Sequence, residues 1–167
     1  LRPIKLIIDN YPDGVFEAFD IPNHPSDPSA GSREVMFGRE IYIDEADFLE
    51  DPPRRFFRLS PGREVRLRYA YYVTCVGVDR DSSGDISTIH CTYDPDSRGG
   101  GTPDKRKVKG TLHWVSAAHA LPAKVRLHEP LFVSSNPLEE PNIELTDQLN
   151  ATSRTHIQNA QLESSLQ

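Results

Sequence analysis

Cysteine is nearly absent from this chain: Cys75 and Cys91 are the only two among 167 residues, and they form no CxxC. That is too sparse for a disulfide scaffold or a thiolate zinc site, so reduced thiols in a cytoplasmic protein are the expectation. Both lie in strand-like runs, where a free cysteine serves as a small core hydrophobe. Long apolar runs are missing too. None approaches the roughly 18–20 residues that a membrane-spanning helix needs, and no membrane partner is expected. The sequence holds no GxGxxG, no P-loop and no GxSxG, which sets aside the common nucleotide cradles and the hydrolase elbow. Gly99-Gly100-Gly101 precedes no helical pattern, and His90, His113 and His128 lie on separate strands without metal-ligand spacing. No metal site and no catalytic residue are expected. The chain begins at Leu1 rather than methionine, and the expectation is a piece of a longer protein.

Prolines and glycines, by contrast, are plentiful, at 14 and 10. They punctuate short β-branched and aromatic runs: Lys5–Ile8, Glu40–Ile43, Val65–Val78, Ile86–Tyr93, Val108–Val115 and Lys124–Leu127. Asp81-Ser82-Ser83-Gly84-Asp85 turns one long run into the next as a hairpin. The pattern predicts an all-β, mainly antiparallel fold of barrel or sandwich type. Two short helical stretches are expected. One is a turn over Glu45–Leu49 after the N-cap Asp44, and the other runs from Pro52 to Leu59 after Asp51. Residues 95–107 read as a flexible basic loop. From about Asn136 the chain is polar, with no evident core of its own.

Net charge is −6, but it is segregated. Residues 1–50 carry 4 basic and 11 acidic side chains, residues 51–110 carry 12 and 8, and residues 111–167 carry 3 and 6. The densest stretch, RRFFRLSPGREVRLR at 54–68, holds six arginines. Local positive charge on an acidic body suits contact with a polyanion at one place. If Val65–Val73 is one strand, Val65, Leu67, Tyr69, Tyr71 and Val73 share the buried face and Arg66 and Arg68 the open one. Alternate side chains then stand about 7 Å apart, a spacing that suits neighbouring nucleotides. Arginine adds a flat fork of donors that grips phosphates, pairs with base edges and stacks on bases. Arg58 is expected to join this surface, whereas Arg54 and Arg63 are expected to pair with acidic side chains. Ser116 and His119 lack an orienting acid in the sequence, and Trp114 is expected in the core.

The strings IIDNY (7–11), PNHP (22–25), GSREV (31–35), FGREIYIDEADF (37–48), CTYD (91–94), KVKGTLHWVSAAHALP (107–122) and VRLHEPLF (125–132) run in one order along the chain. Together with the spaced arginines at 58–68, they resemble the C-terminal anticodon-binding region of the bacterial glutaminyl-tRNA synthetase family. The resemblance implies two β-barrels: a distal one over 13–125 and a partial proximal one from 1–12 and 126–167. It implies binding of the tRNA(Gln) anticodon loop, with Arg58 on the third anticodon base and Arg66 and Arg68 near the first. Pro25 and Ser26 fall at the family's Pro-Asn pair beside the middle base, with serine replacing asparagine. Arg55 stands where the family has glutamine, and Phe57 where it has lysine. The family's HIGH-type and KMSKS-type signatures are absent from this sequence, so no cofactor is expected here. ATP and glutamine chemistry would belong to the parent enzyme's catalytic domain, which is the second expected partner, in a monomer. The alternatives are the anticodon region of an archaeal or eukaryotic-type glutamyl-tRNA synthetase, or a free-standing RNA-binding barrel.

Overall fold

A computed structural model describes residues 2–139 and 143–166. The chain is all-β with short 3-10 turns, and eleven strands are found among the described residues: β1 (Pro3–Ile8), β2 (Glu17–Pro22), β3 (Ser32–Phe37), β4 (Glu40–Asp44), β5 (Glu64–Leu67), β6 (Tyr72–Arg80), β7 (Ile86–Asp94), β8 (Thr111–Leu112), β9 (Val115–Ser116), β10 (Leu121–His128) and β11 (Arg154–Leu162). Among the described residues no helix is long and apolar enough to cross a membrane.

Seven strands make one sheet in the order β8-β5-β6-β7-β1-β4-β9. Its two edge strands are nearly consecutive in sequence, separated by His113 and Trp114 alone. Leu112 and Val115 thus stand at most about 11 Å apart. The sheet must therefore curl until its edges approach, as a barrel wall does. Each edge strand is hydrogen-bonded to its neighbour: Arg68 N donates to the Leu112 carbonyl at 2.9 Å, and Ala117 N to the Glu40 carbonyl at 3.0 Å. Alternation places Leu6, Ile8, Ile41, Val65, Leu67, Val73 and Ile89 inside the wall. Cys75 and Cys91 face each other in register on β6 and β7 as free, buried thiols, and a hydrogen bond with Cys75, together with burial, pushes the Cys91 thiol up.

β2 and β3 form a separate antiparallel hairpin. Their alternating Phe19, Ile21, Val35 and Phe37 are buried. Phe37 meets Tyr11, Phe19, Tyr71 and Trp114 with ring centroids 5.0–5.8 Å apart. These contacts, three edge-on and one tilted, join the hairpin to the core of the larger sheet. Trp114 is thus a core residue, 3% exposed. β10 and β11 pair into a long two-stranded ribbon.

The expected division grouped residues 1–12 with the segment after 126. Strand pairing puts β1 between β4 and β7, inside the seven-stranded sheet. Three local expectations are also revised. Val65–Val78 is not one strand: β5 ends at Leu67, and a tight turn closed by Leu67 N to the Tyr71 carbonyl (2.8 Å) starts β6. Tyr69 takes φ +63 there, a left-handed conformation that sequence reasoning assigns to glycine or asparagine. Pro52–Leu59 is not helical. Only Phe56 N closes a turn, onto Pro53 at 2.9 Å, and Leu59 leaves it to pair with 47–49 through backbone bonds of 3.0 and 3.2 Å. The 95–107 loop is anchored, because Ser97 is fully buried and accepts the Tyr72 amide at 2.7 Å. By contrast, Asp44 does cap a single 3-10 turn, Glu45–Asp47.

Candidate nucleic-acid interface

Most arginines of the basic segment are engaged by the protein itself. Arg58 pairs with Asp47, a carboxylate only 7% exposed. Arg63 donates to the Phe56 carbonyl and so pairs with backbone, not with an acid. Arg80 pairs with Glu50, and Arg98 pairs with Glu17 while lying 4.7 Å from the Phe19 ring centre. Arg106 holds Glu64, Asp94 and Asp104 together. Its hydrogen bond keeps the Asp94 carboxyl below the usual range.

Arg66 and Arg68 differ: neither pairs with a carboxylate among the described residues. Arg66 points away from the core that Val65 and Leu67 enter, as alternation requires. Its guanidinium donates from Nε (3.2 Å) and Nη2 (3.1 Å) to Thr111 Oγ1, and from Nη1 (3.3 Å) to the Gly100 carbonyl. A guanidinium has five N–H groups, so these neutral acceptors orient it while leaving donors for another ligand. Gly100 must lack a side chain here: it has φ +87, and a Cβ would come within 2.7 Å of Arg66 Cδ. Tyr72 Oη donates to the same Gly100 carbonyl at 3.1 Å and so helps hold the seat.

Arg68 does not extend the strand. It occupies the exposed turn, with its guanidinium carbon 5.2 Å from the Tyr69 ring centre and its carbonyl held by Trp114 Nε1 at 3.0 Å. The regular 7 Å row is therefore replaced by one guanidinium on a strand and one on a turn. Arg68 lines a small cleft of about 120 Å³ together with Tyr69, His113, Asn23, Arg33 and Glu163. Burial, with Arg68 and Arg33 nearby, lowers the His113 pKa against the opposing pull of Glu163. Asn23 opens the β2–β3 loop, whose exposed tip carries Pro25 and Ser26; Ser26 N donates to His24 Nδ1 at 3.3 Å.

Arg58 belongs to a segment next to Arg66. The Phe57 carbonyl lies against Gly110, where a Cβ would meet it at 2.4 Å, and the Gly110 carbonyl accepts the Arg66 amide at 2.9 Å. Arg55 is exposed on the 53–56 turn and has no ion pair among the described residues. Sequence reasoning passed over Arg33, Glu163 and Asn23 as site neighbours. Glu163 lies far along the chain in a stretch without a strong pattern, and only the fold brings it here. Ser116 Oγ and His119 Nδ1 do meet, at 3.0 Å, but among the described residues no carboxylate orients the ring, and Ser116 is 3% exposed. That pair is a buried polar link, not a nucleophile.

Comparison with known proteins accounts for both parts of the chain. The family described as "tRNA synthetases class I (E and Q), anti-codon binding domain" matches residues 1–94, and a second family of the same description matches residues 111–167. Among curated relatives, "Glutamine--tRNA ligase" of Nitrobacter hamburgensis is 58% identical over 137 residues, covering 82% of this chain and 25% of the relative. The Bradyrhizobium diazoefficiens protein of the same name is 51% identical over 166 residues, 99% of this chain and 29% of the relative. That of Clostridium kluyveri is 48% identical over 153 residues, 92% and 28%. This chain spans less than a third of the length of each. The chain belongs to the anticodon-binding domains of the class I tRNA synthetases for glutamate and glutamine, in the form carried by glutamine–tRNA ligases.

Proposed function

We propose that this chain grips the anticodon loop of tRNA(Gln), and that a catalytic domain elsewhere in the same protein joins glutamine to that tRNA using ATP. The observation that supports this reading is the contrast among arginines. Arg66 and Arg68 are oriented by a hydroxyl, a carbonyl and an aromatic ring, while Arg58, Arg80, Arg98 and Arg106 pair with carboxylates. Unstacked loop bases offer edges and faces, and an oriented but unneutralised guanidinium meets both. In this reading Arg66 and Arg68 contact the first anticodon base, and Arg58 meets the third beside its Asp47 partner. Pro25 and Ser26 approach the middle base, with Arg55 at the rim. By analogy with base readout in DNA, a well-formed bidentate contact discriminates by roughly 1–3 kcal/mol. The protein acts as a monomer in the cytoplasm.

Filter binding of tRNA(Gln) and its anticodon variants to the full-length protein is the test. Arg66→Ala and Arg68→Ala should each weaken cognate binding and flatten the preference at the first anticodon position, leaving ATP affinity unchanged. Unchanged discrimination in both variants rules out direct readout by this pair.

A further inference from the structure

Arg33 and Glu163 lie 130 positions apart and meet face to face. Arg33 donates through Nε and through Nη2 (3.3 Å) to the two carboxylate oxygens of Glu163, which is 7% exposed. The same guanidinium donates from Nη1 to the Pro22 carbonyl at 3.2 Å and to Asn23 Oδ1 at 3.3 Å. Asn23 in turn closes the base of the tip loop, donating from Nδ2 to the Ala30 carbonyl at 2.9 Å. One side chain on β3 therefore ties together the end of β2, the loop bearing Pro25 and Ser26, and the residue that follows β11. The bridge also stands between two depressions. The inner one, about 120 Å³, contains Arg68 and Tyr69, and the outer one, about 420 Å³, is walled by Gln161, Leu162, Ser165 and Leu166.

We propose that Arg33 and Glu163 are positioning residues for anticodon reading: their ion pair pins the ribbon end against the β2–β3 hairpin and so sets the shape of the cleft that Arg68 lines. The proposal rests on the reading of Arg68 given above. A bidentate arginine–carboxylate fork fixes both distance and plane, which a single hydrogen bond cannot do. Burying the Glu163 charge makes any partner other than a matched guanidinium costly, so the ribbon has one favoured seat. Without that seat, the hairpin loop and the turn at Arg68 lose their common reference and the cleft widens toward the outer depression.

The experiment uses the full-length protein, the tRNA(Gln) transcript and three sets of transcripts, each altered at one anticodon position. Glu163→Gln, which keeps shape and removes charge, should weaken cognate binding about 5- to 20-fold. It should reduce discrimination at the position that Arg68→Ala affects and leave the others intact. Arg33→Lys keeps the charge without the fork and should fall between wild type and Glu163→Gln. The exchanged pair Arg33→Glu with Glu163→Arg should recover part of the loss. If Glu163→Gln lowers the unfolding midpoint while all three discriminations stay at wild-type values, the pair is structural only and the proposal fails. Loss with Arg68→Ala but not with Glu163→Gln overturns the bridge alone. The opposite result overturns Arg68 as the reader while the bridge's effect on binding stands. No change in either variant overturns both.

Discussion

The indole Nε1 of Trp114 donates to the backbone carbonyl of Arg68 at 3.0 Å, so a core aromatic between the sheet's two edge strands holds an exposed arginine of the candidate interface. Trp114→Phe keeps a ring edge-on to Phe37 but leaves that carbonyl without its donor. A loss of about 1–2 kcal/mol in unfolding free energy is expected, from one hydrogen bond and the smaller ring. Denaturant unfolding measures it. tRNA binding by the full-length protein should fall along with it, because the turn that presents Arg68 is no longer fixed.

Gly100→Ala addresses the other guanidinium. Alanine at φ +87 is strained, and its Cβ would press on Arg66 Cδ. About 1–2 kcal/mol of stability should be lost. Arg66 should leave Thr111, so tRNA affinity should drop at least as far as in Arg66→Ala. Gly101→Ala, where a Cβ would meet nothing within 4 Å, is the control and should leave binding unchanged.

What was legible in the sequence follows from how local each signal is. β1, β4, β6 and β7 announced themselves through β-branched and aromatic runs, and the loop at 81–85 through its Asp and Gly. β2 and β3 carry the same two-residue alternation, in Phe19/Ile21 and Val35/Phe37, but a nine-residue loop and scattered charges hid the pairing. The hairpin between β5 and β6 had no turn residue to betray it. RYAY turns because β6 must run back along β5, and tertiary pairing overrides the poor fit of Tyr69. Charge patterning located the arginines but not their partners. Asp47, Glu17, Glu50 and Glu163 come from other strands and loops, and only the folded sheet sets them opposite particular guanidinium groups.

His90 sits between two carboxylates, its Nδ1 2.9 Å from Asp9 and its Nε2 2.9 Å from Asp79. Those hydrogen bonds raise its pKa above the ordinary histidine value, Asp9 contributing most. A raised folded-state pKa contributes stability that is complete below the unfolded value of about 6.5 and is lost as pH climbs through the folded value. His90→Gln should therefore destabilise more at pH 6 than at pH 9. The difference should stay under about 1 kcal/mol, since both carboxylates are largely exposed. Urea unfolding at the two pH values checks the sign; a larger cost at pH 9 contradicts it.

Arg58 carries two roles that a single substitution confounds. Its partner Asp47 is 7% exposed while Arg58 itself is 54% exposed. Truncating the arginine therefore leaves an almost buried carboxylate unpaired, whereas replacing Asp47 leaves only a solvated cation. Arg58→Ala should lower stability by about 1–2 kcal/mol, discounted from a fully buried pair because one member reaches water. Asp47→Asn should cost less, and the double variant should be more stable than the sum of the two losses implies. Thermal unfolding of the four proteins gives that coupling. tRNA binding measured on the same set then separates recognition from folding: Asp47→Asn frees the guanidinium and should retain binding, while the double variant, stable but without Arg58, should lose discrimination at the third anticodon position. Retained discrimination in the double variant would make Arg58 a clamp for Asp47 and nothing more.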